Sequence, residues 1–178
     1  RPTSGGLLAL SVKLIVSPEL EISITVRNQR IEKEKIMTAM SQKEKEAYLA
    51  DLHVGVLAIN EPGLGPLTVP IWYDYTPGGR LWMITGTESR KGRLLKMGER
   101  VSLAAQSEAP PYKYVSVEGP ITEIKNSSQE ELLSMAIRYL GEKQGQAYAK
   151  ANASVSEGHS ILVSVTPERW LAVDYSKG

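Results

Sequence analysis

The residues best suited to chemistry sit together in Trp82-Met83-Ile84-Thr85-Gly86-Thr87-Glu88-Ser89-Arg90-Lys91-Gly92. The first half reads as a strand and the middle as a turn. Ser89 is a helix-capping residue type ahead of a segment expected to run from Arg90 to about Met97. Arg90 and Lys91 then fall in the first helical turn, where cations oppose the helix macrodipole at a cost of about 0.3 to 1 kcal/mol each. A bound phosphate explains that placement, because the free amides, the Ser89 hydroxyl and the two charges would converge on one anion. The competing reading is two solvated surface charges, and a motif this short does not decide between them.

Little else in the chain is reactive. There is no cysteine, which excludes disulfides, thiolate nucleophiles and thiolate-bound metals, and the absence fits a cytoplasmic protein. His53 and His159 are the only histidines, too few for a histidine-rich metal centre, so no metal site is expected and no catalytic side chain can be named. Redox chemistry would need a bound cofactor. Lysine and arginine exceed the acids by one, which provides no global field for nucleic acid. The apolar run Leu7 to Leu10 falls far short of the roughly 20 residues that cross a bilayer, so no membrane partner is expected.

Several aromatic and histidine positions carry two readings each. Trp72, Tyr73 and Tyr75 either line a ligand groove or serve as ordinary β-formers. Tyr112, Lys113 and Tyr114, after Pro110-Pro111, are candidates for a substrate wall. His53 is either a ligand-binding residue or, more commonly for such a position, a plain strand-edge histidine.

The elements that must position these residues are short strands with few helices. Leu20 to Arg27 alternates apolar and polar without a fault and could pair with Leu8 to Val16 as a hairpin. The charged run Arg30 to Ile36 reads as a linker. Residues 1 to 36 are therefore expected to be an N-terminal extension or expression remnant, and residues 37 to 178 a separate domain. Within that domain Ser41-Gln42-Lys43-Glu44 is a capping box opening a helix to about Leu52. Strands follow at Val54 to Ile59, Leu67 to Tyr75, Leu81 to Thr85, Val101 to Ala105 and Tyr114 to Gly119. A second capping box at Ser128 to Glu131 starts a helix stopped by Gly141, with another helix after it. The last strand, Ser160 to Val173, is bent at Pro167. Many antiparallel strands with few helices suggest a decorated barrel.

The strand with Thr85, then Ser89-Arg90-Lys91 and Leu94-Leu95, resembles the flavin-phosphate segment of the pyridoxamine 5′-phosphate oxidase-like split-barrel family. Val69-Pro70-Ile71-Trp72-Tyr73-Asp74-Tyr75, Tyr114 to Gly119 and Val165 to Arg169 are similar to neighbouring family strands, so the resemblance spans about residues 41 to 175. It implies a mainly β fold, a six-stranded antiparallel split β-barrel with flanking helices, usually a homodimer with cofactor sites at the interface. It also implies FMN or the 8-hydroxy-5-deazaflavin coenzyme F-420 as cofactor, and an oxidoreductase passing a hydride to or from a small organic substrate. Carried over by position, Arg90 and Lys91 hold the phosphate with Ser89 in support, Ile84 and Thr85 flank the ribityl chain, and Val69, Pro70 and Ile71 touch the ring. The family's arginine at the start of the upstream strand is replaced by Pro66, and its flavin-contacting glutamine by Tyr114. The vitamin oxidase's Arg and His tail has no counterpart in Asp174 to Gly178, which argues against true pyridoxamine phosphate oxidase activity. A non-catalytic cofactor or haem carrier on the same barrel is the alternative.

Overall fold

The computed structural model describes residues 26–29, 38–153 and 158–177. The chain divides into two units, Arg1–Met37 and Thr38–Gly178. Of the expected N-terminal hairpin only Val26 and Arg27 are described, and they are helical with the two residues after them instead of extended. The remainder of the hairpin and the charged run lie outside the described residues.

The second unit begins with α1 (Gln42–Ala50), whose capping box forms as its sequence predicts: the Ser41 hydroxyl accepts from the Glu44 amide and the Glu44 carboxylate from the Ser41 amide. Eight strand segments follow: β1 (Gly55–Ile59), β2 (Leu67–Ile71), β3 (Tyr73–Tyr75), β4 (Leu81–Gly86), β5 (Arg100–Gln106), β6 (Lys113–Asn126), β7 (Ser160–Val165) and β8 (Arg169–Asp174). A short helix α2 (Arg90–Leu94) separates β4 from β5, and α3 (Gln129–Ala151) separates β6 from β7. Only Trp72 divides β2 from β3, and only Thr166-Pro167-Glu168 divides β7 from β8. The eight segments are therefore six chain runs, two of them bent.

Those bends close the barrel. The sheet path runs β2-β1-β5-β6-β7-β4-β3, with β8 also on β6, and all the pairings are antiparallel. Because β2 and β3 are one run, the two ends of the path meet in a single strand. β6 is long enough to serve both halves: Arg100 to Gln106 pair with its first part, Ile161 to Val165 with its second, and a register irregularity falls between Ile121 and Glu123. Gly119 sits at the crossing, where a Cβ would lie 1.9 Å from the Thr166 carbonyl oxygen. Backbone passes there too closely for any side chain.

Alternation sends Leu57, Ile71, Tyr73, Met83, Leu103, Val115, Val117 and Val163 into the core, and Leu49 of α1 joins them. Tyr73 is fully buried, and its hydroxyl donates to the Leu49 carbonyl at 2.9 Å, which removes the cost of an unpaired phenol. In α3, Gly141 at φ 75° breaks the helix where the sequence suggests it stops. The second half folds back so that the Gln129 amide reaches the Ala149 carbonyl at 2.9 Å.

Candidate functional site

The pairing between β3 and β4 covers Tyr73↔Met83, Asp74↔Trp82 and Tyr75↔Leu81 and then stops. Beyond that point the first run swings away as β2 to pair with β1, while β4 continues through Ile84, Thr85 and Gly86 with β7 on its other side. Val69 to Ile71 and Ile84 to Gly86 are thus left, among the described residues, with one strand edge each that no strand pairs. Such edges present backbone N–H and C=O groups that demand partners. The split in the barrel is a seam of hydrogen-bonding groups, and it runs directly into the turn before α2.

That turn is tightly built. The Ser89 hydroxyl donates to the Gly86 carbonyl at 2.7 Å, accepts from the Gly92 amide at 3.0 Å and lies 3.2 Å from the buried Thr85 hydroxyl. Its hydrogen-bonding capacity is spent inside the protein, so Ser89 serves as cap and hinge pin and offers little to an anion. A Cβ on Gly92 would lie 2.2 Å from the Gly86 carbonyl oxygen, which explains glycine at that position.

Arg90 is 60% exposed at its side chain and pairs with Glu61 in the β1–β2 turn, with Nη2 to Oε2 at 2.6 Å and Nε to Oε1 at 3.3 Å. The carboxylate holds the guanidinium fork by two points and raises its pKa. Lys91 has no ion-pair partner among the described residues. α2 ends at Leu94, short of the expected Met97, and Lys91 and Arg93 count in its last turn. With first and last turns overlapping, the dipole cost anticipated from a longer helix largely disappears.

Beside the seam lies a cavity of about 180 Å³ between β4 and α3. Ile84, Thr85, Gly86 and Trp72 form one wall, and Leu132, Met135, Ala136, Tyr148 and Asn152 of the α3 region the other. The Trp72 indole is stacked on Tyr139 at 4.8 Å and 5°. Tyr139 is itself fixed: its hydroxyl accepts from the Tyr73 amide at 3.0 Å and sits 2.6 Å from the His53 carbonyl oxygen. Trp72 therefore lines this cavity, whereas Tyr73 and Tyr75 are core residues.

The other predicted wall is not brought here. Lys113 pairs with Asp174 at 2.7 Å and its amide donates to Ser107 Oγ, and Tyr114 lies opposite Gln106 and Val173 at the start of β6. Neither these two nor the exposed Tyr112 lines the cavity. His53 packs its ring 4.4 Å from Tyr48, and burial pushes its pKa down. Its Nε2 is buried without a hydrogen-bond partner among the described residues. His159 is exposed. Among the described residues no group of three or more His, Asp or Glu could hold a metal ion, and no helix is long and apolar enough to cross a membrane.

Glu61 and the α3 wall escape a reading of the sequence. Glu61 appears there only as part of a Pro-Gly turn, 29 residues from Arg90, and Leu132, Met135 and Ala136 look like an ordinary apolar helix face.

Residues 41–174 match the pyridoxamine 5′-phosphate oxidase family. A search of curated proteins found no match. Among solved structures, a conserved hypothetical protein from Mycobacterium tuberculosis is similar at 23% identity and TM-score 0.64, covering 79% of this chain and 88% of its own. An FAD and heme binding protein from Mycobacterium smegmatis is similar at 15% identity and TM-score 0.61, covering 80% of this chain and 74% of its own. An F420 reductase is similar at 20% identity and TM-score 0.57, covering 71% of this chain and 94% of its own. At these identities the likeness is one of fold.

Proposed function

The chain belongs to the pyridoxamine 5′-phosphate oxidase family, and from that membership we propose that it is an oxidoreductase binding a phosphate-bearing flavin or deazaflavin, FMN or F-420, along the β2–β4 seam. One observation carries this reading: two strand edges unpaired among the described residues, at Val69–Ile71 and Ile84–Gly86, lead into a turn that presents Arg90 and Lys91. The residues fit such a group. Backbone amides and carbonyls of Val69, Pro70 and Ile71 suit the polar edge of a planar ring, although Pro70 itself offers only a carbonyl. Ile84 and Thr85 would flank the chain between ring and phosphate, and the exposed cations would take the phosphate.

Once bound, the cofactor supplies hydride transfer to or from a small organic substrate. The protein's part is to orient the ring and keep water off it, with Trp72 as a rigid aromatic wall.

The site is completed by a second copy of the chain in this proposal. A 180 Å³ cavity lies below the roughly 300 Å³ at which pockets enclose cofactor-sized ligands, so one chain supplies part of the wall. The outer face of β2-β1-β5-β6-β8 carries Pro70, Val56, Ala104, Ser116 and Leu171 in one cross-strand row, without a charge. Val56 is 43% and Leu171 62% exposed. In this reading a second copy covers that row, which is uncharged and apolar except at Ser116. Tyr114 lies on the same face, which gives a route for it to reach the cofactor of the other subunit.

Titrating FMN and F-420 into wild type, Arg90→Ala and Lys91→Ala tests the reading. Each substitution should weaken binding about ten- to a hundredfold with folding retained. Unchanged affinity in both would remove the site.

A second reading, a non-catalytic carrier, has one observation in its favour: among the described residues, Tyr148 is the only titratable side chain lining the cavity. Rapid bleaching of bound cofactor by reductant, followed by reoxidation with candidate substrates, separates turnover from carriage.

A further inference from the structure

Glu61 occupies the guanidinium fork of Arg90 at 2.6 and 3.3 Å. Its side chain is only 16% exposed, so it is built into the β1–β2 turn and has little freedom to swing into solvent. A carboxylate on that fork has the geometry a phosphate would adopt. Nearby, Arg93 and Glu88 form a loose pair of their own at 3.9 Å, which leaves their joint charge near zero. Arg90, Lys91 and Glu61 together therefore present a single net positive charge to an incoming anion.

Phosphates differ on that scale. A phosphomonoester such as that of FMN carries about −1.5 to −2 charges at pH 7, whereas a phosphodiester such as the one in the tail of F-420 carries one. The dianion meets one uncompensated cation and an adjacent carboxylate, while the monoanion is matched. We propose that Glu61 is a resident counter-ion that tunes this site toward a phosphodiester and against a phosphomonoester. This rests on the phosphate reading of Arg90 and Lys91 and names the class of phosphate they accept.

Removing the Glu61 charge acts on each ligand in proportion to the charge of the phosphate at the Arg90 fork, so the cleanest pair is FMN and its phosphate methyl ester, which share one ring and differ by that charge alone. By Coulomb's law through a largely solvated path, Glu61→Gln should tighten a unit charge by about threefold and a double charge by about tenfold. The experiment measures dissociation constants of FMN and its phosphate methyl ester by fluorescence for wild type, Glu61→Gln, Glu61→Asp and Arg90→Ala, with melting curves as a folding control. The expected result is a larger gain for FMN than for the methyl ester in Glu61→Gln, and wild-type selectivity in Glu61→Asp. Equal weakening of both ligands by Glu61→Gln would make Glu61 a positioning residue for Arg90 and overturn the proposal. So would unchanged affinities in Glu61→Gln alongside weakened ones in Arg90→Ala. Unchanged affinities in Arg90→Ala would instead overturn the phosphate reading beneath it.

Discussion

Asp174 ends β8 almost fully buried, with 6% of its side chain exposed, and it accepts the Lys113 ammonium at 2.7 Å. Ser176 donates its hydroxyl and its amide to the other carboxylate oxygen, Oδ1, while the ammonium sits on Oδ2. Burial alone would push this carboxyl up, but the ammonium and the two Ser176 donors outweigh it and hold the pKa at about 2, against an ordinary 3.8. A carboxyl whose folded pKa lies below its unfolded one stabilises the fold at pH values above the unfolded pKa. That contribution shrinks as pH falls from about 5 and is gone below about 2. The shift corresponds to about 2 kcal/mol at neutral pH. Asp174→Asn keeps the size and one acceptor oxygen but leaves Lys113 without its counter-ion, so it should lose about that amount, or about 4 to 8 °C in melting temperature. Melting curves for wild type and variant at pH 7, 5, 4 and 3 should converge on acidification. Glu44, held at about 2 by Lys177 and Ser41, titrates over the same range but is exposed and present in both proteins, so it cancels in the difference. Coincident curves at pH 7, or a gap that widens toward pH 3, would refute the reasoning.

Gly119→Ala forces a Cβ to within 1.9 Å of the Thr166 carbonyl oxygen and should cost about 3 kcal/mol or more, while Gly65→Ala, with open space around it, should be nearly neutral; melting temperatures compare the two. Light scattering should give twice the chain mass at micromolar concentration, and Val56→Glu or Leu171→Glu should return a monomer with weakened cofactor binding. Deleting residues 1–36 should change cofactor affinity by less than about tenfold, which equilibrium titration measures.

What could be read in advance follows the range of the interactions. Both capping boxes, the Ser89 cap, the turn at Thr76 to Gly79 and the break at Gly141 are local, and each forms where the residues demand it. The core strands were legible from alternation because one face of each is buried against the same interior. Closure was not legible from pattern alone. It depends on one run pairing with β1 at one end and β4 at the other, and nothing in Leu67 to Tyr75 marks Trp72 as the point of transfer. Gly92 and Gly119 are demanded by backbone from distant segments, so their importance appears only with the tertiary crossing.

The candidate site shows the same division and reverses part of the argument that led to it. Two cations at the start of a helix reaching Met97 call for an anion, because such a helix penalises them. α2 has five residues, and in a helix so short there is little dipole to oppose. Arg90, moreover, already has a carboxylate. What supports a phosphate now is different: membership of the pyridoxamine 5′-phosphate oxidase family and, among the described residues, an unpaired seam beside the turn and Lys91 without an ion-pair partner where Arg90 has one. Lys91→Ala is consequently the more decisive substitution. Arg90→Ala removes an anion contact and frees Glu61 at once, and those two effects act in the same direction on affinity, whereas the loss from Lys91→Ala reports the anion alone.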